Sequence, residues 1–469
     1  MLIETNVEVN LRSIEEFTRV MVSELLEDKI NFEILKEDNL IKIKVKSEKL
    51  NKNTEFSYID LGNKIEDQIL TMCKISLLKL LDKKYDWGSL MGVRPTKVLR
   101  RLLINGCDYK EARKILKDFY LVTDEKINLM ETVVKKELEL LDKEHINLYI
   151  GIPFCPTKCK YCSFASYEIN GGVGRFYNDF VETLLREIKI IGDFLKTYNK
   201  KVSSIYFGGG TPSTLTEDDL ERVLRKLLEN IDMSDVKEFI FEAGREDSLN
   251  IKKLEIMKKY SVDRMSLNPQ SFNLETLKRV NRRFNRENFD LIFKEAKKLG
   301  FIINMDLIIG LPEETTEEIL DTLSQLKDYD IDNLTIHCLA FKRASKLFKE
   351  SQERNAIDRA LIEEHIQKIV EEKSMKPYYM YRQKNIIEWG ENIGYSKEGR
   401  ESIFNIEMIE ENQNTMALGG GGISKIVIEE RNGIDYIERY VNPKDPALYI
   451  RELDKRCKEK IEMFRKEKI

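Results

Sequence analysis

The sequence predicts an α/β fold: a parallel sheet built from six β/α units with helices outside, preceded by an α+β domain and followed by a mainly helical region. Three observations lead there. From residue 147 to about 340, short strand-like runs alternate with segments long enough for a crossover helix, which is the pattern of a parallel sheet. The flanking stretches follow other patterns. Each of the six runs also ends in chemically useful residues, as in β/α barrels, where the loops after the strands converge. The chain thus divides into an N-terminal α+β domain (1–144), a β/α core (145–345) and a C-terminal domain (346–469).

In chain order, β-like runs at 3–9, 32–35, 40–45 and 55–61 surround a helical stretch at 13–27. Amphipathic periodicity then predicts helices over 64–82, 96–103, 110–119 and 124–141, broken by the turn-rich Trp87-Gly-Ser-Leu-Met-Gly-Val-Arg-Pro-Thr-Lys97. The core strands are expected at 147–152, 203–207, 238–242, 263–267, 302–307 and 333–338. A helix at 355–373 follows, then an irregular, Gly-rich stretch, then a helix to the end.

Composition narrows the function. A chain of 469 residues holds two or three domains. The net charge of −4, with Lys and Arg interspersed among Glu and Asp, gives no basic surface for nucleic acid. No apolar run has membrane-spanning length, and Met1-Leu-Ile-Glu-Thr-Asn6 lacks the features of a signal peptide, so a cytoplasmic protein with no membrane partner is expected. Seven cysteines, three of them on one loop, argue against a disulfide framework. A multi-His metal or haem site would consume nearly all of His145, His337 and His365.

The chemistry concentrates at the strand ends. The first strand runs into Cys155, Cys159 and Cys162, three thiols on one short loop. A [4Fe–4S] cluster usually takes four Cys thiolates, so a CxxxCxxC loop leaves one iron open to chelate something else. Zinc, which favours four ligands in paired spacings, and three buried thiols are the competing readings. The second strand ends at Gly208-Gly-Gly-Thr-Pro212, whose glycines let backbone N–H groups approach a ligand. The third ends at Glu242, the fourth runs into Asn268-Pro-Gln270, the fifth ends at Asp306 and the sixth leads to Cys338-Leu-Ala340. Glu242, Gln270 and Asp306 are candidate acceptors for ribose hydroxyls and an ammonium. Gly419-Gly-Gly-Gly422 is expected to be a loop against a ligand or the cluster, because four glycines carry too much backbone entropy for a regular element.

These motifs resemble the radical S-adenosylmethionine (SAM) family of oxygen-independent coproporphyrinogen III oxidases, most closely its HemZ-type coproporphyrinogen dehydrogenase branch. The resemblance runs through Gly92-Val-Arg-Pro-Thr-Lys97, Tyr149 to Phe164, Tyr206 to Ser213, Glu242-Ala-Gly-Arg245, Leu267 to Phe272, Asn304 to Pro312 and Tyr378 to Lys425. It implies a radical SAM partial (β/α)6 barrel, a [4Fe–4S] cluster held by Cys155, Cys159 and Cys162, and Tyr149 as a contact of the cluster-bound SAM. It also implies SAM contacts from Tyr161, Gly209, Gly210, Thr211, Glu242, Gln270, Arg282, Asp306, Ala340 and Ile423. No catalytic residue beyond the cluster and SAM site is assigned. Two departures stand out. Phe164 occupies the place of an additional Cys in the oxidase, and Phe404-Asn-Ile-Glu-Met-Ile409 replaces the His-Asn-x-x-Tyr-Trp run of the haem-chaperone branch.

The implied reaction is oxidative decarboxylation of two propionates of coproporphyrinogen III to vinyl groups, giving protoporphyrinogen IX in oxygen-independent haem biosynthesis. A 5′-deoxyadenosyl radical formed from SAM would start it. The alternatives are a haem-chaperone-like protein that holds cluster and SAM without turnover, and another radical SAM reaction on a tetrapyrrole, such as methylation or ring opening. The expected partners are a tetrapyrrole and an electron donor such as flavodoxin or ferredoxin, with the chain acting as a monomer. Arg94, Lys97, Lys342, Arg343, Arg382 and Lys384 are the candidate cations for a tetracarboxylate. Tyr378, Tyr379, Tyr381 and Trp389 are candidates for stacking on its macrocycle.

Overall fold

The computed structural model describes residues 2–62, 67–92, 94–340, 345–347, 356–383, 391–429 and 435–466. Lys342, Arg343, Lys384 and Trp389, named above, lie outside them. The chain forms two compact units, 1–136 and 137–469.

In the first unit β1 (Leu2–Thr5) pairs parallel with β2 (Lys29–Glu37), and β3 (Leu40–Ser47) and β4 (Lys52–Ile59) continue antiparallel. Alternation sorts the two faces. Ile30, Phe32, Ile34, Ile41, Ile43, Val45 and Phe56 are buried, while the intervening positions carry surface ion pairs such as Glu33 with Lys44 and Lys42 with Glu55. The apolar face packs on α2 (Gln68–Leu80), which is apolar on most sides because α1 (Leu11–Met21) packs on it as well. α3 (Thr96–Ile104), α4 (Tyr109–Lys114) and α5 (Asp124–Leu140) follow. An Asp108 and Glu111 capping box starts α4. The expected strand over 3–9 stops at Thr5, and the helix expected to reach residue 27 ends at Met21.

In the second unit β5 (Ile146–Ile152), β6 (Val202–Gly209), β7 (Glu238–Glu242), β8 (Arg264–Ser266), β9 (Ile302–Ile309) and β10 (Asn333–Cys338) stand side by side in chain order, all parallel. The crossovers run through α6 (Tyr177–Thr197), α7 (Glu217–Asn230), α8 (Ile251–Lys259), α9 (Leu274–Arg279) with α10 (Arg286–Lys298), and α11 (Thr316–Gln325). This α/β core matches the expected one. Its helices after α6 start at side-chain caps, among them Thr216, Asn250, Asn285 and Thr315.

The stretch after 373, read as irregular, instead carries five strands. β11 (Met375–Tyr381) and β12 (Asn392–Lys397) add antiparallel next to β10. β13 (Asn414–Gly419) pairs parallel with β5, and β14 (Ile423–Glu429) and β15 (Asp435–Val441) continue from it antiparallel. The sheet therefore reads β11-β12-β10-β9-β8-β7-β6-β5-β13-β14-β15 among the described residues. α12 (Arg359–Glu372), α13 (Ile403–Glu410) and α14 (Pro446–Lys466) complete the unit. Glycines masked the strands: Gly419, at φ +76°, closes β13, and Gly420–Gly422 form the turn into β14. The turn lies against the end of β5, where a Cβ on Gly420 would come 2.7 Å from Pro153 Cγ.

A buried network fixes that turn from behind. Glu187 Oε2 accepts from the Gly419 N–H (2.7 Å) and the Tyr449 hydroxyl (2.6 Å), and Lys460 Nζ donates to Glu187 Oε1 (2.7 Å) and to the Ala417 carbonyl. Lys460 and Glu187 are essentially inaccessible. Removing one member of such a pair leaves a buried charge unmatched, so Lys460→Met is expected to lower the unfolding free energy by about 3–5 kcal/mol, as read by a denaturant titration.

Candidate functional site

The two faces of the parallel sheet differ. Leu148, Ile150, Ile205, Phe207, Phe239, Phe241, Met265, Leu267, Ile303, Met305, Leu334 and Ile336 belong to the main core cluster. The alternate positions, Tyr149, Tyr206, Ile240, Glu242, Arg264, Ser266, Asn304, Asp306, Ile308, Thr335 and His337, line a cavity of about 600 Å³. Register carries this face from strand to strand, with Tyr149 opposite Tyr206, Tyr206 opposite Ile240, and Asp306 opposite Thr335.

The Cys loop leaves β5 at one end of this cavity. Cys155 and Cys159 are buried and Cys162 is half-buried. The loop is tied down by backbone bonds from Gly210 N–H to Ile152 O (2.7 Å), Thr211 N–H to Phe154 O (2.7 Å) and Lys160 N–H to Val280 O (2.9 Å). Thr211 Oγ1 donates to Cys155 Sγ at 3.3 Å. Burial, and less strongly the neighbouring Cys162 and Cys159, push the Cys155 thiol up to about 12, so metal binding there must release protons. A Cβ on Gly210 would lie 2.6 Å from Phe154 O and 3.0 Å from Cys155 Sγ. Gly210→Ala is therefore expected to cost about 1–3 kcal/mol of overpacking and to reduce iron loading, measured by iron content per folded chain.

Arg245, 3% exposed, reaches the loop from the end of β7. Its Nη1 donates to Thr157 O (3.1 Å) and Thr157 Oγ1 (2.9 Å) and lies 4.0 Å from Cys159 Sγ, while Asp247 holds the other side of the guanidinium. Donors and positive charge near sulfur raise the potential of an iron–sulfur centre. Arg245→Met is expected to lower that potential and weaken loading by about 10–100-fold, as outer-shell changes do, both read by EPR-monitored redox titration.

Of the residues singled out in the sequence, Tyr149, Tyr161, Cys162, Gly209, Glu242, Gln270, Asp306, Ala340 and Ile423 line the cavity. Gly210, Thr211, Cys155 and Cys159 stand beside it in the Cys loop and its support. Arg282 donates from Nη2 to Gly244 O (2.9 Å) and to Asn268 O, joining the ends of β7 and β8. Phe164 is exposed and also lines the cavity.

Electrostatics at the rim is tightly arranged. Asp306 accepts from Asn268 Nδ2 and Asn304 Nδ2, each at 2.9 Å, and its N–H donates to Asn268 Oδ1. Burial, and next the charge of Asp306, push the Glu242 carboxyl from 4.5 up to about 8, against a hydrogen bond from Tyr206. Gln270 sits at φ +69°, a conformation uncommon outside glycine, bonded through its backbone to Asp306 O and Ile308 N–H. Its Oε1 and Asn304 Oδ1 are buried without a hydrogen-bond partner among the described residues, as expected of a site built for a polar ligand.

Several site residues had escaped the sequence reading. Tyr206 stacks between Tyr149 (6.0 Å, 12°) and Phe404 (4.4 Å, 20°). His337 Nδ1 lies 3.1 Å from the Tyr381 hydroxyl and its Nε2 3.7 Å from Asp306 Oδ2. Asn304 precedes Asp306 by two on β9, so the period of a strand places both on the same face, and Asn268, in the Asn268-Pro-Gln270 run named above, reaches Asp306 from beyond the end of β8. Tyr379 and Tyr381 line the cavity, whereas Tyr378 is buried beside Asn405. Among the proposed substrate cations, Arg94 and Lys97 belong to the first unit and Arg382 is not part of the cavity lining. Arg264, Lys425 and Arg439 are cations within the cavity lining.

Residues 149–326 match the model of the radical SAM superfamily. Over 385 residues the chain is 39% identical to the oxygen-independent coproporphyrinogen-III oxidase-like protein HemZ of Bacillus subtilis, covering 80% of this chain and 76% of that protein. The chain belongs to this radical SAM family. Across the family the cofactors are a [4Fe–4S] cluster and SAM. The chain is also 29% identical over 197 residues to the haem chaperone HemW of Buchnera aphidicola, covering 42% of this chain and about half (51%) of the chaperone. In fold it is similar to coproporphyrinogen III oxidase (HemN) of Escherichia coli, with a TM-score of 0.53, 19% identity and coverage of 69% and 73% of the two chains.

The residues of this family member fit both cofactors. Among the described residues no three His, Cys, Asp or Glu side chains converge on one point as a single ion requires, whereas a [4Fe–4S] cube bonds each thiolate through a different iron. Cys338 shares the cavity wall, but its thiol donates to Glu391 O at 3.4 Å. The unpartnered Gln270 Oε1 and the raised Glu242 carboxyl offer acceptors to a polar, cationic ligand beside the Cys loop. No described helix is long and apolar enough to cross a membrane.

Proposed function

We propose that the chain converts two propionate side chains of coproporphyrinogen III into vinyl groups, giving protoporphyrinogen IX. Each propionate gives a hydrogen atom from its β-carbon to the adenosyl group of SAM, releases carbon dioxide and passes one electron to an external one-electron acceptor. The observation that carries this reading is the composition of the cavity. A polar rim of Glu242, Gln270 and Asp306 adjoins the Cys loop, and the aromatic rings of Tyr206, Phe404, Tyr379 and Tyr381 and the cations Lys425 and Arg439 line the rest. That combination suits a SAM molecule beside a flat, acidic macrocycle.

In this reading Cys155, Cys159 and Cys162 hold the cluster, and Glu242, Gln270 and Asp306 accept hydrogen bonds from the ammonium and ribose hydroxyls of SAM. Together the bound cluster and SAM supply the one-electron cleavage that removes a hydrogen atom from an unactivated carbon. Gly209 and Gly210 let the chain approach closely, and Tyr161, Ala340 and Ile423 bound the pocket. Tyr149 lines the pocket and stacks on Tyr206, and Arg282 acts from behind it by joining two strand ends. The protein's own contribution is orientation and the exclusion of water. A low-potential donor such as flavodoxin or ferredoxin supplies the electron.

The test is an anaerobic incubation of the reconstituted protein with SAM, a strong reductant and coproporphyrinogen III, reading tetrapyrrole masses. Mono- and divinyl products are expected. A cluster-replete sample that binds haem stoichiometrically and leaves every propionate intact would replace this reading with the chaperone-like one, which the partial likeness to HemW favours.

A further inference from the structure

β12 separates β11 from β10 in the sheet, yet two tyrosines of β11 reach across it. Tyr379 lies over Gly394 of β12, where a Cβ would come 1.9 Å from its Cε1, and its hydroxyl stands 3.1 Å from Thr335 Oγ1. Two residues further along both strands the contact repeats, with the Tyr381 hydroxyl 3.1 Å from His337 Nδ1. The direction of this second contact is set from its far end. Gln383 Nε2 donates to the Tyr381 oxygen at 3.4 Å. Burial, against that hydrogen bond, pushes the Tyr381 hydroxyl up to about 12, so the hydroxyl keeps its proton and can donate it. Nδ1 is then the acceptor, and the neutral imidazole carries its own proton on Nε2, the nitrogen 3.7 Å from Asp306 Oδ2.

The donors thus run one way, from Gln383 to Tyr381 to His337 to Asp306, and all four residues line the cavity. Two amides already hold Asp306, Asn268 on Oδ2 and Asn304 on Oδ1. We propose that His337 is a positioning residue of the SAM pocket, held by Tyr381 in its Nε2–H tautomer so that it commits Asp306 Oδ2 to the protein and leaves Oδ1 to the ligand. The 3.7 Å separation is longer than a hydrogen bond, and contacts of this kind tighten when ligand binds. The inference rests on the assignment of Asp306 to SAM made above and is independent of which tetrapyrrole is bound.

Equilibrium dialysis of SAM against the cluster-reconstituted protein tests it, with iron content measured on the same samples. His337→Leu is expected to weaken SAM binding by about 10-fold, the worth of one hydrogen bond to a charged group, at unchanged iron content, and Tyr381→Phe should act in the same direction. His337→Gln, whose amide can donate from near the place of Nε2, should restore most of the affinity. In Asp306→Ala, itself a weaker binder, adding His337→Leu should cost nothing further, because contributions made through one shared group do not add. An equal loss in both backgrounds makes His337 an independent contact of SAM and overturns the positioning role. Wild-type affinity in His337→Leu overturns it as well, as does a His337→Gln that binds no better than His337→Leu or a loss of iron that matches the loss of binding. Asp306→Ala binding SAM as tightly as the wild type removes Asp306 from the SAM pocket, and the inference falls with that assignment.

Discussion

Cys159→Ala is expected to lose the [4Fe–4S] complement and bring SAM cleavage to background. Cys159 is the middle of three thiols on one loop, its carbonyl accepts from the Cys162 N–H (3.2 Å), and Arg245 stands 4.0 Å from its sulfur. Changes around a metal ligand cost about 10–100-fold, and removing the ligand itself should cost more. With three thiols already one short of the usual four, two cannot hold the cube. Iron and sulfide per chain, the EPR signal of the reduced protein and 5′-deoxyadenosine formation read the effect together. Cys73, Cys107 and Cys457 are buried free thiols in helices or turns outside the cavity lining, and Cys457→Ala should keep a full complement. An intact cluster in Cys159→Ala would refute the ligand assignment.

Glu242→Gln is expected to weaken SAM binding by about 10–100-fold, the difference between a charged and a neutral acceptor. The pH dependence makes this specific. In the folded chain the Glu242 carboxyl is raised to about 8 from 4.5, so between those values the folded state holds a proton that the unfolded state gives up. Its contribution to stability is therefore complete below pH 4.5 and lost as pH rises through about 8. Binding runs the other way. A ligand that needs the carboxylate must expel that proton, so wild-type affinity for SAM should rise with pH up to about 8, with proton release below it. In Glu242→Gln the rise should vanish, because the amide imitates the protonated acid and cannot ionise. Calorimetry in buffers of different ionisation heat measures both effects; an unchanged pH profile in the variant would show that another group carries the dependence.

The core was legible because its signals are local. Six apolar runs spaced by helix-length segments define the parallel strands, and the Cys spacing lies within one loop. What escaped the sequence depends on partners distant in the chain. Nothing around Asn414 to Gly419 announces that the segment pairs with Ile146 to Gly151, and the glycines that follow look like a loop when read alone. Tyr206 and Phe404 meet only because α13 packs near β6. Lys425 and Arg439 stand opposite each other only through the register of β14 with β15. Arg382 was proposed from its place in a run of tyrosines, but strand alternation turns Tyr379 and Tyr381 to the cavity and leaves it out of the lining.

Propionate decarboxylation requires that this cavity bring the β-carbon of a propionate to the hydrogen-abstracting carbon of SAM. Coproporphyrinogen III deuterated at the propionate β-carbons tests it directly, with the mass of 5′-deoxyadenosine as the readout. Deuterium-bearing deoxyadenosine appearing in step with vinyl product is the expected result. Unlabelled deoxyadenosine, formed while the propionates remain intact, would show that no propionate reaches that carbon.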